Sequence, residues 1–182
     1  LSTATAHNNK LGLSPNKVEL MIIKTDTEIL VAQSLGAQNI TAYAKRDHGK
    51  PKRDAFVGML PPKLAQIMLN LAVGETQSTP TLTILDPFCG TGTVLQEALL
   101  RNYSVMGSDL SEKMVDYTRS NLDWIKSTHK STGHTHSLTV ADAMTHSWTD
   151  ADKISAVVCE TYLGQPFSAP PSPGKLKEVS RN

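Results

Sequence analysis

The sequence predicts an α/β fold: a parallel β-sheet with helices on both faces and a small β appendage ahead of it. Three observations carry this. From residue 81 onward, apolar runs of strand length alternate with helical patterns, as βαβ units do. The first of those strands runs directly into a glycine-bearing turn that opens a helix. Upstream, two β-rich runs flank a short turn signal, and a basic stretch with helix breakers separates them from the rest. The bulk numbers fit one good-sized domain with an appendage: 182 residues, 39% hydrophobic and 19% charged.

A formal net charge of +1 gives no general preference for a polyanion, so any basic surface must be local. No apolar run approaches the length of a membrane span. Two cysteines, Cys89 and Cys159, do not make a disulfide framework, and a cytoplasmic setting is expected.

In chain order, residues 1–16 are polar and define no element. Val18–Lys24 and Glu28–Ser34 are β-rich and flank Thr25-Asp26-Thr27, which predicts a hairpin. Residues 45–54, KRDHGKPKRD, hold five Lys or Arg against two Asp, with Gly49 and Pro51 as breakers, and predict a linker. After Pro61-Pro62, residues Leu64, Ile67, Met68 and Leu71 recur at helical spacing, so an amphipathic helix is expected on that stripe. The loop GETQSTP then leads into a buried-type strand at Thr81–Leu85. A helix over Thr93–Arg101 and a strand over Ser104–Ser108 follow. Ser111 can cap the next helix, which runs to about Lys126, with Glu112 in its first turn suiting the helix dipole. A polar loop at 127–136, a strand at Leu138–Ala141, an apolar strand at Ile154–Cys159 and a proline-rich end complete the pattern.

The densest chemical signal is Asp86-Pro87-Phe88-Cys89-Gly90-Thr91-Gly92-Thr93. Ligands of open parallel sheets bind beyond the carboxyl ends of the strands, where this turn sits, and glycine lets the backbone approach them closely. A dinucleotide fingerprint would need a third glycine where Leu95 stands, which weakens that alternative. Asp109, closing the second strand about twenty residues on, can accept hydrogen bonds from both hydroxyls of a ribose. Asp142, beyond the third strand, is placed to accept from an adenine amino group. The basic residues Lys45, Arg46, Lys50, Lys52 and Arg53 are candidates for phosphate contact, against the bland alternative of a solvated linker. His129, His134 and His136 have no cysteine or acid beside them in their polar loop, so no metal is expected there.

These residues carry a resemblance. The glycine turn is similar to the first motif of class I, Rossmann-like methyltransferases that modify exocyclic amino groups of nucleic acids. The preceding string narrows it: Tyr43-x-x-Arg46-Asp47, Lys50-Pro51-x-Arg53-Asp54, then Gly58-Met59-Leu60-Pro61-Pro62-Lys63-Leu64-Ala65-Gln66 and Asn70-Leu71-Ala72. It resembles the tRNA guanine N2-methyltransferases that carry an RNA-binding THUMP domain. The resemblance implies S-adenosylmethionine as cofactor, with Asp86, Gly90 and Gly92 at its methionine part, Asp109 at its ribose and Asp142 at its adenine. Phe88, Thr91, Leu110 and Ala143 complete the expected cofactor site. In the family an Asp-Pro-Pro-Tyr motif after the fourth strand holds the target amine and stacks on the base. Here the stretch is Cys159-Glu160-Thr161-Tyr162-Leu163-Gly164. Glu160 would accept from the amine and Tyr162 would stack, with both prolines replaced.

The expected organisation is a hairpin remnant of an RNA-binding-type domain at 1–44, a basic linker at 45–60 and the cofactor-binding domain at 61–182. The class has a seven-stranded sheet and four strands are visible, so the domain is expected to stop after its fourth strand, with an exposed edge that invites a homodimer. The function implied is methylation of an exocyclic amine of RNA, guanine N2 in tRNA. A DNA amino-methyltransferase, or a cofactor-binding RNA-interaction fragment without turnover, stands as the alternative.

Overall fold

The strand that opens the alternating pattern ends up in the middle of its sheet. A computed structural model describes the chain except residues 1–2, 12–13, 15, 55–58, 75–81, 130, 149, 162–168 and 180–182. The first elements are α1 (Thr3–Asn8), β1 (Leu20–Lys24), β2 (Ile29–Gln33), α2 (Ile40–His48) and α3 (Pro62–Val73). Then come β3 (Thr83–Asp86), α4 (Thr93–Leu100), β4 (Ser104–Asp109), α5 (Glu112–His129), β5 (Thr135–Val140), β6 (Ala156–Val157) and α6 (Pro173–Val179). The chain divides into two compact units, Leu1–Lys50 and Pro51–Asn182.

In the first unit β1 and β2 form the predicted antiparallel hairpin, Leu20 facing Gln33 and Lys24 facing Ile29. Thr25 closes its turn: the Thr25 N–H donates to the Glu28 carbonyl at 2.9 Å, and the Thr25 hydroxyl accepts from the Glu28 N–H at 3.0 Å. The first residues of the expected linker, 45 to 48, are helical. Lys and Arg are good helix formers, and Asn39 caps the start by accepting from the Ala42 N–H at 3.0 Å. Gly49 and Pro51 mark where this helix ends; they do not forbid it.

The second unit holds a four-stranded parallel sheet of order β5-β4-β3-β6. β3 is buried at all four positions, as a central parallel strand is. Helices α4 and α5 supply the crossovers, and Leu95, Leu99, Leu122 and Ile125 from them join Ile84 and Val105 in the core. Gly107 on β4 makes the close approach possible, since a Cβ there would lie 2.6 Å from Leu95 Cδ1. The result is a Rossmann-like α/β sheet.

Several boundaries differ from expectation. The helix after residue 61 forms, with Pro62 in its first turn, but its buried face is Pro62, Ala65 and Leu69. Leu64, Ile67 and Leu71 of the expected stripe are exposed and Met68 is partly buried. α3 packs on α4, and small Ala65 lets the two helices approach. α5 continues to His129, and β5 begins at Thr135, because pairing with β4 extends the strand back through polar residues. β6 shortens to Ala156–Val157, the two residues that pair with β3 at Ile84 and Leu85. Residues 75–81, residues 162–165 and, of the proline-rich end, residues 166–168 and 180–182 lie outside the described residues.

Candidate functional site

The carboxyl ends of β3, β4 and β5 and the chain beyond β6 open onto one cleft of about 740 Å³. Asp86, Phe88, Gly90 and Thr91 reach it from the turn after β3. Asp109 and Leu110 reach it from β4, Asp142 and Ala143 from the end of β5, and Glu160 from beyond β6. Of the expected cofactor residues only Gly92 is not on the wall. Its φ of +80° lies in the left-handed region, and a Cβ would meet the Thr118 side chain at 2.9 Å, so it shapes the turn from behind. Tyr162, expected to stack on the substrate, lies outside the described residues.

The turn is held from both sides. The Asp109 carboxylate accepts from the Gly90 N–H through one oxygen and from the Ser111 N–H through the other, both at 2.9 Å. Asp109 therefore fixes the turn as well as facing the cleft. On the opposite side the Thr118 hydroxyl donates to the Gly90 carbonyl at 2.9 Å, and Asn121 Nδ2 donates to the Thr91 carbonyl at 2.8 Å. Neither α5 residue has a signature in sequence, because their targets lie about thirty residues away on main chain. Asp142 turns its own loop, accepting from the Met144 N–H at 2.9 Å.

Asp86 is the electrostatic centre. It is 2% exposed and accepts from the Phe88 N–H at 3.1 Å. Burial pushes its carboxyl up to about 7, with that N–H working against the rise and the charges of Asp109 and Glu160 adding to it. Burial likewise pushes the Cys89 thiol up to about 12, and burial with the Asp86 charge raises Cys159. Both cysteines are free, and Cys89 lines the cleft. At the rim, Lys113 Nζ pairs with Asp54 at 2.7 Å, which holds the ammonium protonated.

This arrangement fits the group that the resemblance implies. A Cβ at Gly90 would meet no protein atom within 4 Å, so the turn leaves room against the cleft. Asp86 has no ion pair with a basic side chain among the described residues, which suits a ligand carrying positive charge, as S-adenosylmethionine does on its ammonium and its sulfonium.

The basic stretch is divided between the two units. Lys45 is exposed on α2, while Arg46, 4.6 Å from the Tyr43 ring, is buried, as is Lys50. Arg46 and Lys50 are thus less open to solvent in this conformation than Lys45. Lys52 and Arg53, in the second unit, are exposed. The His129 ring packs beside Trp124 at 6.1 Å, and no metal-binding cluster exists among the described residues. No helix among the described residues is long and apolar enough to cross a membrane.

Comparison with known proteins places this geometry. The tRNA (guanine(10)-N2)-dimethyltransferase of Methanothermobacter thermautotrophicus is 43% identical over 77 residues, 42% of this chain and 21% of the relative. The enzyme of that name from Methanocaldococcus jannaschii is 28% identical over 116 residues, 64% of this chain and 32% of the relative. The chain thus spans a third or less of these curated relatives. Among solved structures, an RNA methyltransferase from Salinibacter ruber, in complex with S-adenosyl-L-homocysteine, is 18% identical with a TM-score of 0.43, covering 56% of this chain and 60% of that one. A family model described as RMKL-like, methyltransferase domain, matches residues 51–161, more than half of the chain. Those residues include the glycine turn, Asp109, Asp142 and Glu160, and the chain belongs to the family of RMKL-like methyltransferase domains.

Proposed function

We propose that the chain binds S-adenosylmethionine in this cleft and methylates an exocyclic amine of RNA, guanine N2 in tRNA. The observation that carries the proposal is the meeting of a glycine turn with Asp86, Asp109, Asp142 and Glu160 at the carboxyl ends of neighbouring strands. The names of the partly matching relatives favour tRNA over DNA.

When bound, S-adenosylmethionine supplies an electrophilic methyl group on a sulfonium sulfur. Asp86 would hold the positively charged methionine part, Asp109 the ribose and Asp142 the adenine. Glu160, exposed at the cleft edge, would accept a hydrogen bond from the target amine and so orient it for transfer. Alignment is the main demand of such a displacement, and a strong general base is not needed. Lys45, Lys52 and Arg53 are the cations offered to RNA phosphates. We assign the chain a cytoplasmic setting with both cysteines reduced. We also assign it self-association through the β6 edge, where Val157 is 56% exposed.

Transfer of tritiated methyl from S-adenosylmethionine to bulk tRNA, with duplex DNA as comparison, tests the proposal. Label in tRNA alone is expected. Label in DNA would select the other acceptor, and cofactor binding with no label in either would leave a binding module. Light scattering tests the self-association, and a strictly monomeric chain would remove it.

A further inference from the structure

One buried side chain joins two parts of the second unit that lie far apart in sequence. Asn121, wholly buried on α5, pairs with the main chain of Lys52 in both directions. The Lys52 N–H donates to Asn121 Oδ1 at 2.9 Å, and Asn121 Nδ2 donates to the Lys52 carbonyl at 3.0 Å. The second Nδ2 proton serves the Thr91 carbonyl, inside the glycine turn, at 2.8 Å. The carboxamide thus uses both donors and its acceptor on the backbones of two separate segments. Neither Ala, Asp nor Leu can reproduce that set.

The rest of α5 repeats the pattern. One turn before Asn121, Thr118 donates to the Gly90 carbonyl at 2.9 Å, so the helix grips both inner carbonyls of the turn. Two turns before Asn121, Lys113 holds Asp54, two residues beyond Lys52, at 2.7 Å. The Asp54 side chain is only 10% exposed and lines the cleft. Between the two ties stands Arg53, exposed beside exposed Lys52.

We infer that Asn121 is a positioning residue that couples cofactor binding in the cleft to RNA binding at Lys52 and Arg53, with the Asp54–Lys113 pair as an outer tie. This rests on the cofactor and RNA assignments proposed above. A ligand seated on the Gly90–Gly92 turn fixes the Thr91 carbonyl, hence the Asn121 carboxamide, hence the backbone from which Lys52 and Arg53 reach solvent. Those two side chains then meet phosphates with less freedom to lose. Linkage makes the effect reciprocal: RNA must tighten cofactor binding by the same factor.

The test is the affinity of bulk tRNA for the full chain with and without saturating S-adenosylhomocysteine. For the unmodified chain the cofactor product is expected to tighten tRNA binding about fivefold or more, the lower end of ordinary site-to-site coupling. In Asn121→Ala both ligands should still bind, each more weakly, and the ratio should fall to near one. A merely structural residue would weaken both affinities and leave the ratio unchanged. Asp54→Asn weakens the outer pair and keeps the buried Asn121 amide, so it should lower the ratio part of the way. A ratio of one in the unmodified chain, or an unmodified ratio in Asn121→Ala, would overturn the coupling. If Asn121→Ala does not fold, an unchanged ratio in Asp54→Asn overturns it. Failure of the unmodified chain to bind either ligand is a separate result, which removes the proposed function and the coupling together.

Discussion

Two strands of similar apolar character have opposite fates in this chain. β1, Leu-Met-Ile-Ile-Lys, is exposed at every position, with Ile22 at 76%; β3, Thr-Ile-Leu-Asp, is buried at every position. Hydrophobicity does not separate them. β3 has a parallel partner on each edge and helices packed over it, whereas β1 has one partner and no described cover. A two-stranded hairpin is marginal by itself, while a sheet under helices buries its strands fully. Burial is a property of the assembly around a strand.

That contrast predicts a large difference between like substitutions. Leu95→Ala, at a fully buried site of the sheet unit, should cost about 2–5 kcal/mol in denaturant unfolding. Ile22→Ala in the hairpin should stay within about 0.5 kcal/mol. Equal losses would mean that the hairpin is covered in solution and the comparison is false.

The same burial acts against a charge at the end of β3. Asp86 binds its proton more tightly folded than unfolded, from an ordinary value of 3.8 to about 7. Between those values the folded state carries the extra proton, so the contribution of this group to stability is greatest below pH 4, falls as pH rises, and levels off above 7. Asp86→Asn should therefore be more stable than the unmodified chain at pH 8, by on the order of a few kcal/mol, with the difference gone below pH 4. A pH-independent difference in unfolding free energy would exclude the linkage.

Much of this is legible in the sequence. The β3–turn–α4–β4 unit is local: apolar run, glycines and acid lie within about 25 residues and each implies the next. α2 was hidden because a dense run of charge reads as linker, although charged residues build exposed helices well. The early start of β5 was hidden because its polar residues become strand through pairing with β4. Thr118 and Asn121 were not visible as site residues, since their chemistry depends on where the turn folds and not on neighbours in sequence.

A smaller effect sharpens the comparison at the cleft. Asp109→Ala removes the acceptor for two loop N–H groups and, with them, the proposed ribose contact, so S-adenosylhomocysteine affinity should fall by roughly 1–3 kcal/mol in calorimetry. An unchanged affinity would take Asp109 out of the site. Least of all, Lys113→Met should leave the midpoint of thermal unfolding almost unchanged, because the ammonium end of its pair with Asp54 stands in solvent.

The strand order also has a consequence in time. Ile84 pairs with Val105 on one side, twenty-one residues later, and with Ala156 on the other, seventy-two residues later. Closing the longer loop costs about 1 kcal/mol more in chain entropy, and its reward is a pairing two residues long. As the chain leaves the ribosome, the turn that would hold the methyl donor can fold before Glu160 exists. The wall that would face the acceptor joins the parallel sheet last, and within that sheet it should be the first to exchange its amide protons.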